Sequence, residues 1–213
     1  MDYNVLRKRI DVISKSVKKL GGDVPDLVIG KQATMQQIAR MERKLGVALP
    51  TSFRKVLLEF SADLNFRWFL PDDVHMDEEL IDATSGSVHW NLEMMELFEE
   101  QRKSWIKEVF PNPDDEYDKV WHDKLAFYAV SNGDLIAFDL SDNDGAVVYL
   151  SHEDGEGHGY KLGENFIDFI NKWSRIAFVG GEDWIWLPFA SESGFVADDE
   201  VAERFRKMLD FDN

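Results

Sequence analysis

Residues 34–53 read TMQQIARMERKLGVALPTSF, a stretch that predicts a helix, a tight connection and the start of a second helix. Thr34 and Gln37 have the spacing of a capping box, in which each side chain accepts a hydrogen bond from the other residue's backbone. Gly46 stands where a helix ends in a left-handed residue, and Pro50 suits the first turn of the next helix. The apolar residues at helical spacing are Ile38, Met41 and Leu45 in the first helix and Phe53, Val56, Leu57 and Phe60 in the second. We therefore expect a helical hairpin.

Further amphipathic helices are predicted on both sides of this hairpin. Near the N-terminus, apolar residues recur at steps of three and four until Gly21 and Gly22 end the pattern. Asn91 and Asn165 can each cap a later helix through their side chains. The predicted helices outside the hairpin lie at residues 6–20, 91–109, 165–173 and 201–209.

Short runs of apolar and β-branched residues between the helices predict strands. These runs lie at residues 27–29, 65–70, 87–90, 125–130, 135–140, 146–150 and 160–162. The turn Ser131-Asn132-Gly133-Asp134 is of the Asn-Gly type, which favours a two-residue hairpin. The fold class that follows is α+β: a single domain with a mostly antiparallel sheet, packed by the N-terminal helical hairpin and a C-terminal helix.

We divide this domain into three parts. Residues 1–33 form an N-terminal amphipathic helix and linker, residues 34–178 form the core, and residues 179–213 form a C-terminal extension.

The charge of the chain excludes several classes of partner. The 213 residues carry a net charge of −17, and the charge is uneven. Residues 1–60 hold 12 basic and 6 acidic side chains, whereas residues 61–213 hold 12 and 35. Because nucleic acids and anionic membranes need clustered Lys and Arg, we expect neither as a partner. A basic protein is the expected partner, although bacterial cytosolic proteins are also often acidic for solubility alone.

The absence of Cys narrows the chemistry. It removes thiolate nucleophiles, disulfides and Cys-ligated metals. No stretch approaches the roughly 20 apolar residues of a membrane span, and the N-terminus lacks the apolar run of a signal peptide. We expect a cytoplasmic protein.

The helical hairpin resembles the opening signature of the SUKH superfamily, and more narrowly the fungal cell-wall-assembly-regulator type of domain. The matching residues are Glu42, Leu45, Gly46, Leu49, Pro50 and Phe53. The turn Asn132-Gly133-Asp134, the strand at 147–150 and the helix at 166–173 resemble later parts of the family pattern in the same order. The resemblance covers residues 34–173.

The resemblance implies a non-catalytic binding module. Bacterial members are similar to immunity proteins that neutralise a cognate toxin, often a nuclease, by direct binding, and fungal members are regulatory scaffolds. No catalytic residue and no cofactor comes with the resemblance. We therefore predict an immunity protein that occludes a basic toxin surface with carboxylates, and we keep the regulatory scaffold as an alternative.

Loop carboxylates and two tryptophans are the candidate partner-binding residues. They are Asp72, Asp73, Asp142, Asp144, Glu153, Asp154, Glu156, Trp184 and Trp186. The alternating tryptophans predict one face of a strand, where they either anchor a partner or cover the sheet.

A metal-dependent hydrolase is the second alternative. The segment 152–158 holds His152, His158 and three carboxylates, which are side chains that can bind a divalent metal. The spacing matches no known metal motif, and two glycines interrupt the loop. Leu140-Ser141-Asp142-Asn143-Asp144-Gly145 also fails as a calcium loop, because Leu140 cannot coordinate and position 151 is a serine. We predict no metal site.

Overall fold

The computed structural model describes residues 1–25, 27–141, 144–153 and 155–211. Within these ranges the chain forms seven α-helices: α1 (Tyr3–Lys19), α2 (Met35–Leu45), α3 (Thr51–Glu59), α4 (Met95–Glu108), α5 (Phe166–Arg175), α6 (Asp183–Trp186) and α7 (Glu200–Met208). The strands are β1 (Leu27–Ile29), β2 (Asp63–Phe69), β3 (Ser85–Asn91), β4 (Lys124–Ala129), β5 (Leu135–Asp139), β6 (Val147–Leu150), β7 (Lys161–Gly163), β8 (Ala190–Ser191) and β9 (Gly194–Phe195). The α+β class is therefore confirmed.

The strands form two main antiparallel sheets where we expected one. The first sheet has the order β1-β2-β3 and the second β4-β5-β6-β7, while β8 and β9 form a separate ribbon. The edge of β3 that does not pair with β2 is covered by residues 178–180. Ser87 donates its N–H to the Phe178 carbonyl (2.9 Å), and the Gly180 N–H donates to the Ser85 carbonyl (3.1 Å). β4 therefore does not continue the first sheet through a backbone ladder with β3.

The helical hairpin follows the sequence expectation. Thr34 and Gln37 exchange both hydrogen bonds of the capping box, and Gly46 has the left-handed φ of 73°. Glu42 has a role that the pattern did not reveal: its Oε1 accepts from the Leu49 N–H (2.9 Å) and from the guanidinium of Arg54 (2.7 Å). The Glu42 carboxylate thus binds both the connection between α2 and α3, at Leu49, and helix α3, at Arg54.

Two local expectations were wrong. The hairpin between β4 and β5 has a three-residue loop, because the Val130 N–H donates to the Asp134 carbonyl (2.8 Å) and leaves residues 131–133 between them. Gly133 carries a positive φ of 104°, which glycine adopts readily in such loops. The segment with Trp184 and Trp186 is helix α6 rather than a strand.

Aromatic side chains from both sheets and two helices pack together in the core. The ring of Phe166, the first residue of α5, lies 4.7 Å from Phe53 of α3, 5.4 Å from Trp90 of β3 and 5.3 Å from Phe127 of β4. All four side chains are buried. This cluster holds the helical hairpin, α5 and the two sheets in one domain.

Both ends of the chain pack onto the same core. Four apolar residues of α1 are fully buried, and Arg9 of α1 donates to the side chains of Asn171 (3.0 Å) and Ser174 (2.9 Å) on α5. At the other end Phe205, Leu209 and Phe211 are buried in the same cluster.

A buried ion pair fixes α4 against the second sheet. Arg102 donates from Nε and Nη2 to both carboxylate oxygens of Glu99 (2.9 and 2.8 Å), and it also donates to the Trp121 carbonyl. Glu99 accepts in addition from the Ala126 N–H of β4 (3.3 Å). Because the two charges satisfy each other and the local backbone, the helix can present a charged pair to the interior.

We predict that Phe166→Ala lowers the free energy of unfolding by about 3–5 kcal/mol, because it removes a ring that contacts four elements and leaves a cavity. Phe69→Ala is the matched control, since Phe69 lies 45% exposed on β2. Urea denaturation of both variants checks this. Equal losses in the two variants would contradict the central role of Phe166.

We also predict that Arg102→Met lowers the free energy of unfolding by about 3–5 kcal/mol, because it leaves the Glu99 carboxylate buried without its partner. Lys103→Met is the control, since the Lys103 side chain is largely exposed although it lies 3.6 Å from the same carboxylate. The same denaturation experiment measures both. A double variant Glu99→Leu/Arg102→Met should recover part of the loss, and a fully additive loss would contradict the pairing.

Candidate functional site

A groove of about 610 Å³ opens on the outer face of the first sheet. Its floor is made by the outward side chains of two strands: Asp63, Asn65, Arg67 and Phe69 from β2, and Ser85, Ser87, His89 and Asn91 from β3. Its walls include Met94, Phe98, Tyr128, Ser131 and Glu182.

β2 and β3 each have an apolar face, which is directed to the core, and a more polar face, which forms the groove. Alternate residues such as Phe66, Trp68 and Trp90 point to the core and are fully buried. Their indole N–H groups are paired there: Trp68 donates to the Ala177 carbonyl (2.7 Å) and Trp90 to the Ser61 carbonyl (3.0 Å). The intervening residues must then face the groove, since successive strand side chains alternate between faces.

A stacked pair of rings forms the centre of the groove wall. The rings of His89 and Tyr128 lie 3.9 Å apart, and the Tyr128 hydroxyl donates to the Ser87 carbonyl (3.1 Å). Burial, with a smaller contribution from Arg67, lowers the pKa of His89 to about 4. Burial raises the pKa of Tyr128 above its ordinary value. Both rings are therefore neutral at physiological pH.

The groove has exposed apolar side chains at its two ends and is also lined by charges of both signs. Phe69 is 45% exposed at one end and Met94 is 39% exposed at the other. Among the described residues, the charged lining groups are the carboxylates of Asp63 and Glu182 and the guanidinium of Arg67. Such a mixture of apolar and polar groups is typical of surfaces that bind other proteins.

Two acidic loops come together beside the groove. Tyr117 joins them: its hydroxyl donates to the Ser151 carbonyl (2.9 Å), and its carbonyl accepts from His158 Nε2 (3.0 Å). This contact brings exposed carboxylates at 114–116 next to exposed Glu153 and Glu156. The resulting patch contains two of our seven predicted carboxylates.

A buried carboxylate connects the β4–β5 turn to the second of these loops. Asp134 accepts from the Tyr149 hydroxyl (2.6 Å), the His152 backbone N–H (2.8 Å), His152 Nδ1 (2.6 Å) and the Asn132 amide (2.7 Å). Burial alone would raise the pKa of Asp134, but these hydrogen bonds lower it below its ordinary value. On the other side of the same turn, Ser131 donates to Glu182 of the groove wall. The groove and the acidic patch are therefore neighbours across one turn.

The histidines of the proposed metal alternative are engaged in hydrogen bonds. His158 accepts the Ser151 N–H at Nδ1 (3.1 Å) and donates from Nε2 to the Tyr117 carbonyl, which leaves neither ring nitrogen open to a metal. His152 Nδ1 is held by Asp134. Within the described ranges, no group of three or more His, Asp and Glu side chains is arranged to hold a metal ion.

Three other predicted carboxylates, Asp72, Asp73 and Asp144, lie outside the acidic patch. Asp72 and Asp73 are exposed in the connection between β2 and β3, beyond the Phe69 end of the groove. Asp144 accepts from the Ser52 N–H (2.7 Å) at the start of α3, so it stabilises a helix end. Asp142 and Asp154 fall outside the described residues.

The two predicted tryptophan anchors have opposite environments. Trp184 is 53% exposed, whereas Trp186 is fully buried against Tyr149 and Phe195. The short helix separates them, because residues two apart point in different directions on a helix. The prediction that Trp186 anchors a partner at the surface is therefore wrong, and the anchoring role of Trp184 stays a prediction.

Sequence reasoning missed the groove, although part of the signal was present. The alternation at 65–70 predicts a strand, but it does not reveal what the polar face of that strand contacts. His89, Met94 and Glu182 meet only in three dimensions, since they come from a strand, a 3-10 turn and the loop before α6. Their neighbourhood carries no local sequence pattern.

We predict that His89→Gln removes part of the pH dependence of stability. The folded-state pKa of His89 is about 4, whereas an unfolded histidine titrates near 6.5. Above the unfolded pKa the ring is neutral in both states, and the full stability is present. Between the two pKa values the unfolded chain binds a proton that the folded chain does not. The free energy of unfolding of the wild type therefore falls by about 3 kcal/mol as the pH falls through this window. Urea denaturation across the window measures the slope, with exposed His75→Gln as the control. An unchanged slope in His89→Gln would contradict the assignment.

The comparisons with known proteins agree with this architecture. The model of the SMI1/KNR4 family (SUKH-1) matches residues 32–172, which hold the helical hairpin, β2 and β3 of the first sheet, the whole second sheet and most of α5. No curated protein matches the chain. No helix in the described ranges has the length and apolar character needed to cross a membrane. Since the match spans more than half of the sequence, the chain belongs to the SMI1/KNR4 (SUKH-1) family.

Proposed function

We propose that this protein is an immunity protein, which neutralises a toxin by direct, non-catalytic binding. The observation that carries the proposal is the open groove on the first sheet, with exposed apolar residues at its ends and an acidic patch beside it. The family membership supports a protein-binding role.

The chemistry of the surface favours binding over catalysis. Of the residues that the structure describes, one histidine lines the groove: His89, which is stacked on Tyr128 and whose pKa is lowered to about 4. A general base works best with a pKa near the operating pH, which is about 3 units higher. The remaining lining groups offer apolar contact and hydrogen bonding, which are the interactions that protein interfaces use.

Electrostatics supports a cationic partner. Residues 61–213 hold 35 acidic side chains against 12 basic ones, and this part of the chain includes the groove and the acidic patch. Nuclease toxins carry basic surfaces for phosphate, and opposite charge accelerates encounter. Neutralisation of such a toxin would take place in the cytoplasm.

A regulatory scaffold is the second candidate function. The family match supports it equally, because the same family includes cell-wall regulators. The gene next to this one distinguishes the two: a toxin gene is expected for an immunity protein, and a scaffold needs none.

Co-expression tests the proposal. The polypeptide encoded beside this gene should arrest growth when it is expressed alone. Co-expression of this protein should restore growth, and the two proteins should purify together. The complex should weaken by about tenfold or more between low and high salt, because exposed charges are screened within a Debye length. Arrest without rescue or co-purification would defeat the proposal. Binding that is insensitive to salt would defeat the electrostatic mechanism alone.

A further inference from the structure

We propose that the groove on the first sheet binds an extended segment of a cationic protein, with apolar side chains of that segment packed against Phe69 and Met94 and a Lys or Arg side chain beside Asp63 or Glu182. The inference takes only one assumption from the proposed function, namely that the ligand is a protein.

The dimensions of the groove fit an extended segment. Its floor runs along the seven residues of β2, from Asp63 to Phe69, and along the antiparallel β3 beside it. At about 3.3 Å per residue, this floor is about 20 Å long, which equals six to seven residues of an extended chain.

The arrangement of side chains gives such a segment contacts at defined intervals. Apolar contacts are available at the two ends, from the exposed side chains of Phe69 and Met94. The polar side chains of Asn65 and Ser87 lie between them on the floor. Buried aromatic contacts surrounded by polar groups are where binding energy concentrates at interfaces.

The charges select a basic segment over an acidic one. In the described part of the chain, the groove lining holds two carboxylates against the single guanidinium of Arg67, and His89 is neutral at physiological pH. Exposed Glu93 stands next to Met94 at one end. The acidic patch lies across the turn that contains Ser131, so a cationic partner that enters the groove meets further carboxylates outside it.

A second copy of this chain is disfavoured as the occupant. Each copy carries a net charge of −17, so association would bring like charges together. The experiment below would nevertheless detect self-association through the groove.

The full chain, labelled with ¹⁵N, should be titrated with three blocked hexapeptides: alternating Arg–Leu, alternating Glu–Leu and alternating Arg–Ser. We expect the Arg–Leu peptide to shift the backbone signals of β2, β3 and the residues next to Tyr128 at peptide concentrations up to about 1 mM. The Glu–Leu peptide lacks the complementary charge and the Arg–Ser peptide lacks the apolar groups, so each should bind at least about tenfold more weakly.

Two pairs of variants locate the binding surface. Met94→Lys and Glu182→Lys should each weaken the Arg–Leu peptide by about tenfold or more. Met35→Lys and Glu192→Lys are the matched controls, because both residues are exposed and lie outside the groove. The controls should bind as wild type does, and thermal melting should show that all four variants fold.

The outcomes separate this inference from the proposed function. No Arg–Leu binding, equal binding of the Glu–Leu peptide, shifts confined to other surfaces, or concentration-dependent dimerisation through the groove would each overturn the inference. Growth rescue by co-expression together with any of these results would leave the immunity function standing. Specific peptide binding without rescue would support the groove and defeat the immunity function.

Discussion

The contact between Phe166 and Phe53 is the interaction on which the rest of the structure depends. Phe53 comes from the second helix of the hairpin and Phe166 opens α5, and their rings meet 4.7 Å apart between the two sheets. The Phe166 N–H also donates to the Ser52 hydroxyl (3.1 Å), so backbone and side chain hold the same junction. Because Trp90 and Phe127 pack on the same ring, the first and second sheets keep a fixed relation. The groove is one result of that relation.

The site is assembled from parts that are supported independently. The floor is the outer face of a sheet whose inner face is anchored by Trp68 and Trp90. The neighbouring turn is held by Asp134, whose four hydrogen bonds fix both the hairpin and the loop that follows β6. Surfaces that bind proteins gain affinity when they are held in one conformation before the partner arrives. The buried network around Asp134 supplies that rigidity without being exposed itself.

Local pattern predicted most of the elements, because capping and periodicity act within a few residues. The capping box at Thr34, the left-handed Gly46 and the cap at Asn165 appear as expected, whereas Asn91 caps a 3-10 turn at Leu92–Met94 that leads into α4. The division into two sheets could not be predicted, since it depends on residues near Phe178 occupying the edge of β3. For Trp184 and Trp186 the sequence left open whether they anchor a partner or cover the sheet, and the expected shared strand face was wrong because helix α6 directs the two side chains to different environments.

The alternation along β2 has a consequence for how the family can diversify. Leu64, Phe66 and Trp68 are committed to the core, whereas Asn65, Arg67 and Phe69 face solvent between them. Substitutions at the outward positions cost the fold little, because surface changes away from special features usually alter stability by less than about 0.5 kcal/mol. A strand built in this way can acquire new recognition properties by single substitutions while its packing stays constant. Specificity and foldability are thus carried by different residues of one strand and can evolve separately.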